Sequence, residues 1–277
     1  MSHVMLNGEL RDEREALVSA LDQGLTHGVG LYETIKVMGG SCAFFDEHAA
    51  RLEKGLHGLR IPVPFTRDDL ARQILAVAGR NGVGDGACRL LVTAGPPWGE
   101  PTLLVQTDVR VFPLRPLTVI SYRIARAAAA FKSNSFVPSL VAKRAAEAAG
   151  ADDAVFVDDD GRILEATTAN CFVRRGGVLA TPPLEGSILP GVIRGKIIEL
   201  AEGDGMAVAE RHIRLGELTP NDSLMLSSSV RGLVLVASVD GVPLRVDEEL
   251  HERLRSLLGA AEQASAAAFA GRYGVTG

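Results

Sequence analysis

The sequence predicts a two-domain α/β or α+β protein with mixed β-sheets and flanking helices. Three observations carry this reading. Short apolar runs rich in strand formers alternate with longer segments of helical periodicity along the chain. Pro113 and Pro116 bracket a short connector near the middle, the best break in the pattern. The runs between residues 154 and 180 lie close together with hairpin turns between them, which adds a meander to the alternating pattern. A length of 277 residues accommodates two modest cores. The expected division is a small N-terminal α/β domain over 1–112, a connector over 113–118 and a larger domain over 119–277.

In the first half, residues 31–37 form a strand and Gly39-Gly40 turns the chain back into a second strand over 42–45. Asp46 reads as the N-cap of a helix through His48, Arg51, Leu52 and Leu56 that ends near Gly58. A second helix covers 68–79 and a Gly-rich turn 81–86. Strands follow over 88–93 and 102–106, with 109–112 a further candidate. In the second half a strand near 117–122 precedes a helix over 137–149, with Pro138 in its first turn and Gly150 just past its end. Strands over 154–157, 163–166, 169–174 and 178–180 form the meander. Its turns are Asp159-Asp160-Gly161 and Arg175-Gly176-Gly177. A helix over 191–202, strands over 223–226 and 234–239, and a helix over 247–258 complete the pattern. The Ala-rich stretch after Gly259 is low in complexity and reads as partly ordered at best.

Composition is that of an ordinary globular chain, 47% hydrophobic and 23% charged. The net charge of −5 argues against a general nucleic-acid or anionic-membrane surface. No apolar run approaches the roughly 20 residues of a spanning helix, and charge appears early (Glu9, Arg11, Asp12, Glu13), unlike a signal peptide. Cys42, Cys88 and Cys171 are widely spaced without a CxxC, so they read as reduced, mostly buried cysteines of a cytoplasmic protein.

Several residues are able to carry chemistry. Lys132 follows the apolar run 127–131 and precedes the polar Ser133-Asn134-Ser135. A lysine at the end of a buried segment is desolvated and becomes a Schiff-base nucleophile, although a snorkelling lysine at a strand end is the better reading of this residue alone. Glu165 follows Ile163-Leu164 within the meander, and a buried carboxylate there must be paired. A protonated pyridine nitrogen is one such partner, and a Glu turned outward is the plainer alternative. Three places suit a phosphate: the start of the helix at Gly191-Val192-Ile193, the Ser227-Ser228-Ser229 turn and the Arg51 guanidinium. Gly82-Val83-Gly84-Asp85-Gly86 is only faintly a dinucleotide fingerprint, since it follows a helix and not a strand. His48 and His57 lack metal-ligand spacing and read as surface or capping histidines.

Order and spacing make these fragments specific. Lys132-Ser133-Asn134-Ser135-Phe136 is followed by the 140–150 helix, by 152–158, and by Ile163-Leu164-Glu165-Ala166-Thr167-Thr168-Ala169-Asn170. Then come Thr181-Pro182-Pro183 and Ile188-Leu189-Pro190-Gly191-Val192-Ile193-Arg194. The first half adds Asp22-Gln23-Gly24, Tyr32-Glu33-Thr34-Ile35-Lys36 and His48-Ala49-Ala50-Arg51. Over essentially the whole chain this resembles the class IV aminotransferases, the fold-type IV enzymes of pyridoxal 5'-phosphate (PLP).

The resemblance implies PLP bound to Lys132 as a Schiff base, with Lys132 also moving the substrate's α-proton. It implies Glu165 on the pyridine nitrogen, Leu189 against the ring, and Arg51, Val192, Ile193, Ser228 and Ser229 at the phosphate. It further implies an amino donor and a 2-oxo acid as substrates, and a homodimer. Ile193 stands where members commonly have Thr, and Gln23 where an Arg is usual. Val92-Thr93-Ala94-Gly95 lacks the arginine of the best-known D-amino-acid enzymes, and Lys36 replaces an arginine of branched-chain enzymes. The 32–36 stretch is closer to the D-amino-acid and lyase branches, and Thr34 matches a threonine used by the lyases. The expectation is therefore an aminotransferase favouring D-amino acids or (R)-amines, with Arg89 as carboxylate clamp and Tyr32, Thr34 and Lys36 beside the substrate. A 4-amino-4-deoxychorismate lyase is the runner-up, and a branched-chain L-amino-acid aminotransferase the further alternative.

Overall fold

The computed structural model describes residues 2–112, 115–124, 129–185 and 187–274. Pro113 of the expected connector and residues 127 and 128 of the run before Lys132 lie outside the described residues. The chain divides into two compact units. The first comprises Met1–Val111, Phe131–Ser135 and Ala260–Gly277, and the second Phe112–Ala130 and Phe136–Gly259. The division near 112 coincides with the proline-bracketed stretch, but 131–135 and the C-terminal segment cluster with the first unit, away from the 119–277 grouping expected from sequence.

The first unit contains β1 (His3–Leu6), β2 (Glu9–Asp12), α1 (Gln23–Thr26), β3 (Gly30–Met38), β4 (Ser41–Cys42), α2 (Phe45–Gly58), α3 (Arg67–Asn81), β5 (Gly86–Thr93) and β6 (Thr102–Asp108). The strands form an antiparallel sheet in the order β2-β1-β6-β5-β3-β4. Alternation along β3 sends Leu31, Glu33, Ile35 and Val37 into the core, and sends Tyr32, Thr34 and Lys36 to the other face. Leu52, Leu56, Leu70 and Ile74 of α2 and α3 pack in that core with Ile35 and Leu90. Two expectations fail here. The strand over 42–45 stops at Cys42, because Phe44 is left-handed (φ 54°) and itself caps α2, which leaves Asp46 in the first turn. Residues 109–112 form no strand; Val111 is almost fully exposed, so an apolar run is no guarantee of burial.

The second unit contains β7 (Leu117–Arg123), α4 (Val137–Ala148), β8 (Asp153–Val157), β9 (Ile163–Ala166), β10 (Asn170–Arg175), β11 (Val178–Thr181), α5 (Val192–Gly203), β12 (Ala207–Glu210), β13 (Ser223–Ser228), β14 (Gly232–Val239) and β15 (Val242–Pro243). Its sheet runs β12-β11-β10-β13-β14-β7-β8-β9, and β9 pairs again with β10, closing six strands into a ring. The β7–β8, β7–β14 and β11–β12 pairs are parallel and the rest antiparallel, so the sheet is mixed. Val155, Ile163, Cys171, Val173, Leu224, Leu226 and Val236 form a core of their own. The Gly176-Gly177 turn has two consecutive positive φ values, 54° and 91°, the requirement of a tight two-residue hairpin.

The C-terminal stretch is the main correction. It is a helix, α6 (Glu248–Tyr273), whose Leu254, Leu258, Glu262, Ala266 and Phe269 are buried. Alanine is the best helix former, so a composition that resembles low complexity here supplies propensity while every third or fourth side chain supplies packing. Phe269 meets Phe45 edge-on at 5.1 Å between ring centroids.

Candidate active site

In the second unit Glu165 is the centre of a fixed arrangement. It lies on β9, 4% exposed, directly opposite Asn170 of β10. One carboxylate oxygen, Oε2, accepts from the Leu189 backbone N–H (3.1 Å) and from Asn170 Nδ2 (3.2 Å). Asn170 Nδ2 also donates to the Leu189 carbonyl at 2.9 Å, so one amide ties strand, carboxylate and loop together. A side chain at Gly191 would overlap Asn170 Oδ1, which is why the residue that caps α5 is glycine. No side chain caps α5, and no acidic residue stands in its first turn. Its first-turn amides, Val192 and Ile193 among them, thus have a dipole that favours an anion. Ile193 is buried in the core, and Arg194 donates to the Pro182 carbonyl and to Glu210. Ser228 ends β13 opposite Gly232, and Ser229 lies in the turn that follows.

In the first unit Lys132 is placed by backbone pairing. Tyr32 N donates to the Lys132 carbonyl (2.9 Å) and Asn134 N to the Gly30 carbonyl (3.1 Å), so 132–134 is held against the start of β3 by an isolated antiparallel bridge between Leu31 and Ser133. The Lys132 ammonium nitrogen is 4.5 Å from the Tyr32 ring centroid and the Arg89 guanidinium carbon 4.7 Å from the same centroid. Thr34 is paired with Arg89 across β3 and β5 and shares their face. Lys36, on that face too, bonds Glu262 of α6 at 2.6 Å, a partner that sequence spacing gave no sign of.

Arg51 forks onto Glu33: Nε to Oε1 at 2.7 Å and Nη2 to Oε2 at 2.6 Å. His48 Nδ1 completes the group at 2.8 Å from Glu33 Oε2. His48 is 1% exposed, so the expectation of a surface or capping histidine is wrong for it. Burial pushes its imidazole below the ordinary range despite Glu33, and the neutral ring donates from Nδ1. Burial alone would raise the Glu33 carboxyl, but the Arg51 charge and the His48 and Arg51 hydrogen bonds bring it down to about 2. Because that value lies below the unfolded one, the Glu33 contribution is complete above the unfolded pKa of about 4.5 and is lost as pH falls towards 2. Glu33→Gln is therefore expected to flatten the acid limb of stability between those values. At neutral pH it should cost about 3–5 kcal/mol, since Arg51 loses its buried partner. Urea unfolding midpoints measured across pH test both; a parallel curve would show that the group carries no proton linkage.

The model of the amino-transferase class IV family matches residues 30–239. That is most of the chain, and it contains both Lys132 and Glu165. The chain belongs to the class IV aminotransferases.

Within the family its relatives differ in chemistry. It is 33% identical over 254 residues to a Methanocaldococcus jannaschii protein with the provisional name branched-chain-amino-acid aminotransferase, covering 86% of this chain and 88% of that one. A Bacillus licheniformis D-alanine aminotransferase is 29% identical, with the same shares covered. A Bacillus subtilis aminodeoxychorismate lyase is 27% identical, covering 86% and 87%. The fold-type IV transaminase CpuTA1 of Curtobacterium pusillum superposes with a TM-score of 0.84 at 27% identity, over 93% of this chain and 99% of that one.

The cofactor of this class IV aminotransferase is PLP, and the residues present suit it. Glu165 offers a buried carboxylate held by two donors, and α5 offers an uncapped first turn. Among the described residues no cluster of metal-ligating side chains occurs. No helix of the described residues is long and apolar enough to cross a membrane. All three cysteines are buried free thiols, and burial pushes Cys42 up to about 12. The sequence motifs did not single out Asn170, Glu33 or His48 for a role. Glu33 was open to detection, because it falls on the buried parity of an otherwise apolar alternating strand.

Proposed function

We propose that the protein transfers an amino group from a D-amino acid or an (R)-amine to a 2-oxo acid, using Lys132 and Glu165 on PLP. The observation that carries this reading is that Lys132 and Arg89 lie 4.5 Å and 4.7 Å from the Tyr32 ring centroid. A nucleophilic amine and a planar carboxylate-binding cation share one face of one sheet, which is what an α-amino acid requires. Among the described residues no carboxylate pairs with Arg89, which leaves its guanidinium available to the carboxylate of a substrate. PLP when bound supplies an electron sink for the substrate carbanion. Lys132 is assigned the covalent attachment and the proton transfers, and Glu165 the retention of the ring-nitrogen proton. Leu189 is assigned the packing against the ring. Arg51, Val192, Ile193, Ser228 and Ser229 are assigned the phosphate. Tyr32 and Thr34 flank the substrate, whereas the bond from Lys36 to Glu262 gives that lysine a structural role. The preference for D or (R) configuration rests on the likeness of the 32–36 stretch to those branches.

The assembly proposed is a cytoplasmic homodimer, supported by the free thiols and by exposed Leu17, Val18, Leu21 and Leu25. Arg89→Ala should raise KM for amino-acid donors roughly tenfold or more and leave amines without a carboxylate far less affected. Side-by-side kinetics with D-alanine, L-leucine and an (R)-amine make the test, and equal losses on both substrate types would reduce Arg89 to a structural residue. Release of pyruvate from aminodeoxychorismate without any 2-oxo acid acceptor would assign the lyase reaction, the second reading, which Thr34 favours.

A further inference from the structure

Ser227 of β13 is 2% exposed, and among the described residues its hydroxyl has no hydrogen-bond partner. It stands directly opposite Asn170, which stands directly opposite Glu165. Opposed residues on an antiparallel ladder point to one face, so the three form a row on the face away from the Cys171 and Leu226 core. The middle of that row lies against the start of α5, since Asn170 Oδ1 is the atom that excludes a side chain at Gly191. Ser227 is two strand spacings from Glu165, about 10 Å. That is the reach needed to contact the two ends of a pyridine bearing a phosphomethyl arm.

The geometry points to Ser227 as a further phosphate contact, its hydroxyl donating to a phosphate oxygen beside the α5 amides. This rests on the PLP site assigned above and adds to Ser228 and Ser229 a residue one position earlier, on the opposite parity of the strand. Its own strand supplies a control. Ser223 is equally buried with an equally unpartnered hydroxyl, but it stands opposite Arg174, about 13 Å along the strand from Ser227.

The test is equilibrium uptake of PLP and of pyridoxal, which lacks the phosphate, by cofactor-free wild type, Ser227→Ala and Ser223→Ala. The absorbance of the lysine-linked cofactor gives Kd, and thermal melts of the cofactor-free proteins give stability. Ser227→Ala is expected to weaken PLP roughly tenfold, a charge-assisted bond, while changing pyridoxal less than about twofold. Its cofactor-free Tm should be no lower than wild type, because an unpartnered buried hydroxyl is removed. Ser223→Ala should bind both compounds as wild type does. Equal weakening of PLP and pyridoxal, or no weakening of either, overturns the phosphate contact while wild type still binds. Failure of wild type to take up PLP at Lys132 instead overturns the site itself, and this contact with it.

Discussion

Lys132→Ala is expected to leave a colourless protein that no longer links covalently to PLP and whose half-reaction is slower by about 10²–10⁴-fold, the usual worth of a positioned acid–base group. Wild type treated with PLP and borohydride should carry the label on Lys132 alone. No other lysine is placed to take over. Lys36 is bonded to Glu262, Lys143 to the Asp152 carbonyl and Lys196 to Glu199. Lys54 is exposed on α2. Peptide mapping of the reduced sample decides the matter, and a label on any of those four residues would remove Lys132 from the reaction.

Glu165→Gln is expected to slow the half-reaction by about one to three orders of magnitude at equal cofactor occupancy, as when a contact worth a few kcal/mol to the transition state is lost. The substitution is close to isosteric. An amide oxygen still accepts from Leu189 N and Asn170 Nδ2, so the β9–β10 arrangement persists and the phosphate end is untouched. What changes is charge: a neutral amide cannot hold the proton on a pyridine nitrogen, and the ring becomes a poorer acceptor of electrons. Single-turnover rates with a D-amino acid, compared at matched PLP content, check this. An unchanged rate would give Glu165 a purely structural role.

The sequence was informative where local chemistry decides structure. Strand and helix positions in both halves, the glycine turns and the mixed character of the sheet were legible, because alternation, propensity and positive φ are local properties. It was silent where the partner comes from far away. Lys36 meets Glu262 across more than two hundred residues, and nothing in either neighbourhood announces the other. Asn170 lies in the 163–170 motif, yet its bonds to Glu165 and Leu189 exist only once β9, β10 and the 189 loop are assembled. The β1–β2 hairpin is a different kind of omission. Asn7 and Gly8 both have positive φ, 50° and 83°, and Asn-Gly is the strongest short hairpin signal there is. The buried positions of α6 beyond Gly259 were equally available, but alanine abundance masked the continuation, through Ala266 and Phe269, of the stripe that Leu254 and Leu258 begin in the expected helix.

The bridge that holds 132–134 against the start of β3 bears on how this chain can be dissected. A gene fragment ending at Val111 would keep every β3–β5 and β5–β6 partner, yet leave Gly30 and Tyr32 with backbone groups that lose their bonds to Asn134 and Lys132. It would also lose Phe131, whose ring sits where side chains at Gly58 of α2 would otherwise reach. By its hydrogen bonds the 131–135 segment belongs to the first unit, although the stretches of chain on either side of it belong to the second. Recombining stretches from different homologues would have to match the 30–32 edge of one parent to the 131–135 segment of the other, so these two stretches of the first unit must evolve together although about a hundred residues separate them.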